Sequence, residues 1–168
     1  MKILDGKTVL VTGAGLGVGR AIALACAEAG ANVAVNDIGA TLHGDPSGDS
    51  PAAKVTHEIQ SAGGNAITLT DSVADWNAAH SMIETTVKAF GSIDAVINNA
   101  GNLRDVIFHK MSEEDFDAVV NVHLKGCFNM SRAAAPYFKE HGGGALLHMT
   151  STSGLVGNFG QANYCAAK

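Results

Sequence analysis

Residues 8–19 read Thr-Val-Leu-Val-Thr-Gly-Ala-Gly-Leu-Gly-Val-Gly, a short apolar run that leads directly into a cluster of glycines. The β-branched run predicts a strand over residues 8–11, and residues 17–29 predict a helix that Gly30 ends. Glycines here let the backbone turn sharply and approach a pyrophosphate, while the helix N-terminus offers unpaired N–H groups. The stretch therefore predicts a dinucleotide-binding loop, although a glycine-rich turn that packs a helix on a strand has the same composition. The candidate loop residues are Gly13, Gly15, Leu16, Gly17 and Gly19.

Four further apolar runs follow, each separated from the next by a segment with helical signals. They predict strands over residues 32–37, 66–70, 93–97 and 145–149. Ser50 before Pro51, and Ser112 three residues before Asp115, are typical of helix starts. A last helix is predicted to begin near Ala162, so strands and helices alternate along the whole sequence.

The predicted strands are apolar at successive positions, which is typical of strands buried on both faces in a parallel sheet between helix layers. We therefore predict an α/β fold, with residues 1–168 forming a single dinucleotide-binding domain. Its Rossmann-type doubly wound parallel sheet is expected in the order 3-2-1-4-5. Residues 45–50 read as a polar loop. Five apolar residues at helical spacing are predicted to pack in the core: Trp76, Ala79, Ile83, Val87 and Phe90.

Composition excludes several kinds of partner. The net charge is −5 with no run of lysine or arginine, whereas nucleic acids and anionic membranes require a basic face, so neither is predicted as a partner. Three widely spaced cysteines form no Cys-x-x-Cys pair, and the seven histidines show no ligand spacing, so no metal site is predicted. No apolar stretch approaches the length of a signal peptide or membrane span, which indicates a soluble, cytoplasmic protein.

Asp37 ends the second predicted strand, 18 residues after Gly19 (37 − 19). A carboxylate at this position can accept hydrogen bonds from an adenosine ribose and would repel a 2′-phosphate. No arginine or lysine adjoins it at Gly15 or Ile38. The position favours NAD over NADP as cofactor, although an exposed aspartate at the start of a loop is the alternative.

Tyr164 and Lys168 are four residues apart, so they share one face of a helix. A nearby ammonium stabilises a phenolate relative to a phenol, which makes Tyr164 a candidate general acid/base.

Ser151 follows the fifth strand, 13 residues before Tyr164 (164 − 151), where its hydroxyl could hold a substrate oxygen, and Ser153 is an alternative. Asn121 lies inside a predicted helix, where asparagine is a poor helix former, which indicates either a hydrogen-bonding task or a local helix distortion. The turn Asn98-Asn99-Ala100-Gly101 ends the fourth strand at the same rim.

Together these motifs resemble the short-chain dehydrogenase/reductase family: Thr-Gly-x-x-x-Gly-x-Gly at residues 12–19, Asn-Asn-Ala-Gly, Ser151 and Tyr-x-x-x-Lys. The resemblance covers the whole chain and implies four catalytic residues. Tyr164 would be the acid/base, Lys168 would favour its phenolate and bind the nicotinamide ribose, Ser151 would orient the carbonyl, and Asn121 would support a water-linked proton relay. It also implies that Asp71 meets the adenine. The further cofactor residues implied are Ser72, Val73, Asn99, Ala100 and Gly101.

Val-Asn-Asp-Ile-Gly at residues 35–39, the loop that extends to Ser50, and Asn-Leu-Arg-Asp at residues 102–105 resemble a narrower group. These are the (R)-3-hydroxyacyl-CoA dehydrogenase domains of peroxisomal multifunctional enzymes and their bacterial relatives. The resemblance implies a 3-hydroxyacyl thioester substrate, lipid metabolism and a homo-oligomer, dimer or tetramer, when complete. The alternatives are a 3-oxoacyl thioester reductase, a non-catalytic dinucleotide-binding module and an inactive fragment.

Members of the resembled family continue beyond the Tyr-x-x-x-Lys helix through further strands. The domain is therefore expected to be incomplete at its C-terminal end and to lack the final strands. Residues 1–168 alone are expected to be inactive and poorly soluble, because the fifth strand would be an apolar edge.

Overall fold

The computed structural model describes residues 2–40 and 50–168. These residues form a five-stranded, fully parallel sheet in the order β3-β2-β1-β4-β5, which confirms the predicted topology. In β1 and β2, Thr8 pairs with Asn32 and Thr12 with Asn36. The strands are β1 Thr8–Thr12, β2 Asn32–Asn36, β3 Ala66–Leu69, β4 Ala95–Asn98 and β5 Ala145–His148.

Helices cover both faces of the sheet. They are α1 Gly17–Glu28, α2 Pro51–Ser61, α3 Trp76–Phe90, α4 Glu113–Val120, α5 Gly126–Glu140, α6 Thr152–Val156 and α7 Ala162–Ala167. Val9 and Val11 of β1 pack on one face with residues of α1 and α2, while Leu10 packs on the other with residues of α3 and α5. Successive strand residues are therefore buried on opposite sides, which accounts for the unbroken apolar runs in the sequence.

Among the described residues, side-chain caps fix the starts of α2, α3 and α4 and that of α6, where Ser151 is the cap. The Ser50 side chain accepts a hydrogen bond from the Ala53 N–H and Asp75 from the Ala78 N–H. Ser112 and Asp115 form the predicted capping box at α4. Most of the predicted polar loop, residues 45–49, lies outside the described residues.

The prediction for Trp76 as a core residue is wrong, because its side chain is 43% exposed. It is the first residue of α3 and lies against His80 and Phe128, with ring centroids 4.5 and 6.0 Å away. Ala79 and Ile83, further along the same stripe, are fully buried. The predicted helix is present, but its apolar stripe becomes fully buried only at Ala79.

A π-helical turn, Asn121–Lys125, joins α4 to α5. The Gly126 N–H donates to the Asn121 carbonyl, five residues back, so the helix carries an extra residue at this point. The helix distortion considered for Asn121 is therefore present. No helix among the described residues is long and apolar enough to cross a membrane.

Candidate active site

A cleft of about 850 Å³ runs along the carboxyl ends of the strands, where open α/β sheets bind their ligands. One end is formed by the glycine loop and the residues that follow β2, and the other by α7 and the residues that follow β5. Twelve of the residues predicted to form the site line it: Gly13, Leu16, Gly17, Asp37, Ser72, Val73, Asn99, Ala100, Gly101, Asn121, Tyr164 and Lys168.

The glycine loop is tied directly to the turn that follows β4. The Asn99 side-chain amide donates to the carbonyls of Thr12 and Gly13, both at 3.0 Å. In return the Thr12 hydroxyl accepts the N–H groups of Asn99 and Ala100, also at 3.0 Å. Gly13 has φ +62°, and a Cβ there would lie 2.8 Å from Ala100 Cα. The two segments therefore form one rigid floor of the cleft.

Helix α1 begins at Gly17 without a side-chain cap, because the residue before it is Leu16. In α2, α3, α4 and α6 a capping side chain accepts one of the first backbone N–H groups. The N-terminus of α1 instead leaves such groups at the cleft, which suits an anionic ligand such as a pyrophosphate.

Asp37 has a structural contact that the sequence did not reveal. Its Oδ2 accepts the Gly15 N–H at 2.9 Å and its Oδ1 accepts the Gly39 N–H at 2.9 Å. Gly15 is not among the described residues that line the cleft; its amide orients the Asp37 carboxylate, which does line it. The same carboxylate thus holds the glycine loop and lines the cleft.

Tyr164 lies in α7 and Lys168 directly follows it, with the Lys168 N–H donating to the Tyr164 carbonyl, so the two residues are one helical turn apart, as their spacing predicts. The Lys168 ammonium nitrogen lies 5.7 Å from the Tyr164 ring centroid, and it donates a hydrogen bond to the Met149 carbonyl. Burial lowers the pKa of Lys168 below its ordinary value, an effect that Cys127 partly opposes. The cleft therefore holds a phenol beside a partly desolvated ammonium.

Residues 7–168 match the family model described as short chain dehydrogenase. The chain belongs to the short-chain dehydrogenase family. The glycine loop, the Asn-Asn-Ala-Gly turn and the Tyr164–Lys168 pair all lie within the matched residues.

Relatives in this family agree with the assignment. Peroxisomal multifunctional enzyme type 2 of Mus musculus is 51% identical over 164 residues, which make up 98% of this chain and 22% of that protein. The 3-oxoacyl-(acyl-carrier-protein) reductase of Staphylococcus aureus is 41% identical over 162 residues, 96% of this chain and 63% of the reductase. A crystal structure of a short chain dehydrogenase from Mycobacterium avium superposes with a TM-score of 0.90 at 49% identity, covering 98% of this chain and 59% of that one. The chain thus spans less than two thirds of each.

Three other predicted site residues lie outside the described lining of the cleft. The Ser151 hydroxyl oxygen caps α6 by accepting the Ser153 N–H at 3.2 Å. Asp71 is exposed, and its carbonyl accepts a hydrogen bond from the Asn36 side chain at 2.9 Å. Gly19 packs beneath the loop against the Gly13 carbonyl. Their family roles remain proposals.

Two buried residues beside Tyr164 are not among the site residues predicted from the sequence. Asn163 is fully buried beside Tyr164; its amide donates to the carbonyls of Arg104 and Asp115 at 2.9 Å, and its oxygen accepts the Tyr164 N–H at 2.8 Å. It anchors the start of α7, and no spacing in the sequence distinguishes it from a surface asparagine.

The second of these residues is His123. Asn121 lines the cleft but is exposed, whereas His123, two residues later, is buried with its ring 5.1 Å from that of Tyr164. The spacing of the histidines in the sequence does not single out His123. Among the described residues, no group of three His, Cys, Asp or Glu side chains is arranged to hold a metal ion.

Proposed function

We propose that this chain is the dinucleotide-binding and catalytic part of an NAD-dependent oxidoreductase that acts on a secondary alcohol or ketone, namely a 3-hydroxyacyl thioester. The observation that carries the proposal is a single cleft with the glycine loop and Asp37 at one end and the Tyr164–Lys168 pair at the other. An acid/base group beside a dinucleotide site is needed for alcohol oxidation and is not needed by a binding module.

The residues present fit a dinucleotide. The uncapped start of α1 suits the pyrophosphate. Gly13, which packs closely on Ala100, has no side chain that would obstruct the pyrophosphate. Asp37 would bind the adenosine ribose, and Ser72, Val73 and the Asn99–Gly101 turn would line the groove. NAD, when bound, accepts the hydride that leaves the carbinol carbon.

The proton is handled by this chain's own side chains. Tyr164 as phenolate takes the hydroxyl proton while the carbinol C–H electron pair departs as hydride and the C–O bond becomes a carbonyl. The Lys168 ammonium favours that phenolate by its charge. The Ser151 oxygen accepts a backbone N–H, so its own hydrogen is available to donate to the substrate oxygen.

The thioester class is supported by the relatives. Two of them are named as a peroxisomal multifunctional enzyme and a 3-oxoacyl-(acyl-carrier-protein) reductase. The second name supports the reverse reaction, reduction of a 3-oxoacyl thioester, as the other candidate. We further propose that the complete protein is cytoplasmic. We also propose that it is a homo-oligomer, dimer or tetramer, and family membership supports an oligomer.

A direct assay tests the proposal in the full-length protein that carries this chain. We expect (R)-3-hydroxyacyl-CoA with NAD to generate NADH, measured by its absorbance, at a rate well above that with a simple secondary alcohol. The same protein is then assayed with a 3-oxoacyl thioester and NADH to compare the two directions. Dinucleotide binding without turnover of either thioester would instead favour a non-catalytic module.

Cofactor choice gives a second prediction. Replacing Asp37 by asparagine keeps an acceptor oxygen for the Gly15 N–H but removes the charge that would repel a 2′-phosphate. We expect the preference for NAD over NADP, measured as a ratio of dissociation constants, to fall by about tenfold or more, which corresponds to roughly 1.4 kcal/mol. Asp37→Ala should also reduce the preference for NAD over NADP, but it removes the hydrogen bond from the Gly15 N–H that holds the loop as well.

Asp5→Asn is the matched control, because Asp5 is exposed and does not line the described cleft. It makes the same change in net charge and should leave the ratio unchanged. Tighter binding of NADP than of NAD by the unmodified protein would refute the assignment.

A further inference from the structure

His123 occupies an unusual position in the fold. It is the third residue of the π-helical turn, is 6% exposed and lies nearly perpendicular to the Tyr164 ring, with an interplanar angle of 89°. A Cβ on Gly101 would collide with the His123 ring. The imidazole is therefore wedged between the turn that follows β4 and the phenol on α7.

The nitrogen atoms of His123 are unequally satisfied. Nε2 lies 2.8 Å from the Asn102 carbonyl oxygen and 3.1 Å from the Asn102 nitrogen, so it either donates to the first or accepts from the second. Nδ1 is buried without a hydrogen-bond partner among the described residues. An apolar ring of the same shape would avoid that desolvation cost. Packing alone thus does not explain a histidine here.

The surroundings of His123 favour the neutral ring. Burial lowers its pKa, and the Lys168 ammonium on α7 lowers it further, while the Asn102 carbonyl opposes the shift. Its other titratable neighbours are Tyr164 on α7, Cys127 on its own helix and His148 on β5, which lines a small cavity with it, and none of these is a carboxylate. A neutral imidazole can hold Asn102 without placing a second cation beside Lys168.

We propose that His123 is a positioning residue that holds the Tyr164 ring and the Asn102 backbone in fixed relation, so that the phenol oxygen meets the substrate beside Lys168. This inference rests on the proposed role of Tyr164 as acid/base.

Two variants of the full-length protein test the proposal. His123→Phe keeps an aromatic ring against Tyr164 but loses the hydrogen bond to Asn102, and His123→Gln keeps a polar amide and loses the ring. For each we expect kcat to fall roughly 10- to 100-fold, because a small misplacement of a reacting group is costly, with KM and NAD affinity within about threefold of the unmodified protein. Exposed His57 of α2 is the matched control, and His57→Gln should leave kcat unchanged.

The pH dependence separates positioning from a purely structural role. Below pH about 6.5, the ordinary histidine value, the unfolded chain takes up a proton that folded His123 resists. Stability is therefore present above that pH and falls as the pH drops towards the folded pKa. His123→Phe cannot be protonated at this position, so its thermal transition should be less sensitive to acid than that of the unmodified protein, while its kcat is lower. The decrease of kcat at acidic pH should also be smaller in His123→Phe than in the unmodified protein.

The possible outcomes are distinguishable. If the unmodified protein is active and Tyr164→Phe is inactive, but both His123 variants keep kcat within about twofold and the acid decline is unchanged, this inference fails and the proposed function stands. If the unmodified protein turns over neither thioester, or if Tyr164→Phe remains active, the proposed function fails and this inference fails with it.

Discussion

Replacing Tyr164 by phenylalanine in the full-length protein is expected to reduce kcat by roughly 10²- to 10⁴-fold, the usual contribution of a general acid/base. The substitution removes one oxygen and leaves the ring. The contacts of that ring with His123 and Lys168, at 5.1 and 5.7 Å, should therefore persist. The dissociation constant of NAD should change by less than about twofold, because the glycine loop and Asp37 are untouched.

The other tyrosine in the sequence provides the control. Tyr137 packs partly buried in the core beneath the sheet and does not line the described cleft. Tyr137→Phe makes the same chemical change elsewhere and should retain kcat. Steady-state kinetics with (R)-3-hydroxyacyl-CoA and a binding titration with NAD measure both effects. If Tyr164→Phe kept a tenth or more of the turnover, Tyr164 would not be the acid/base.

The sheet could be predicted from the sequence because burial on both faces leaves a local signature. Val33, Ala34 and Val35 are apolar in succession; the two valines belong to one core cluster and the alanine to the other. Helix starts at Ser50 and Ser112 were equally readable, since a cap depends on residues only three positions apart. Trp76 was misassigned because spacing identifies a helix face and not the length of helix that lies under the sheet.

The candidate site could be predicted only where its residues lie close together in the sequence. Tyr164 and Lys168 are one helical turn apart, so their juxtaposition follows from spacing. His123, in the π-helical turn, contacts Tyr164, which is 41 residues later in the sequence (164 − 123). No local sequence pattern predicts this contact. The same holds for Gly15. Its place in the glycine loop follows from the local sequence, but the hydrogen bond from its N–H to Asp37, 22 residues away, does not.

Replacing Gly19 by alanine is expected to be the most damaging change of a single methyl group in the cofactor loop. A Cβ at Gly19 would collide with the Gly13 carbonyl oxygen and with the Asn99 side-chain nitrogen. Those two atoms are hydrogen-bonded to each other at 3.0 Å and tie the loop to the turn that follows β4. Relief of the clash requires the backbone of the loop to move or that bond to break. We expect a loss of about 1–3 kcal/mol in the free energy of unfolding, the usual cost of overpacking.

NAD affinity should fall as well, by about tenfold or more, since a loop displaced by a fraction of an ångström no longer presents the start of α1 to a pyrophosphate. Gly17→Ala is the matched control: Gly17 has φ +53° and nothing within 4 Å of its ideal Cβ position, so alanine there strains the backbone by about 1–2 kcal/mol without a collision. Thermal unfolding and NAD titration of the two variants separate steric disruption from backbone strain. If Gly19→Ala matched Gly17→Ala in both measurements, the close packing of Gly19 against Gly13 and Asn99 would not be what shapes the loop.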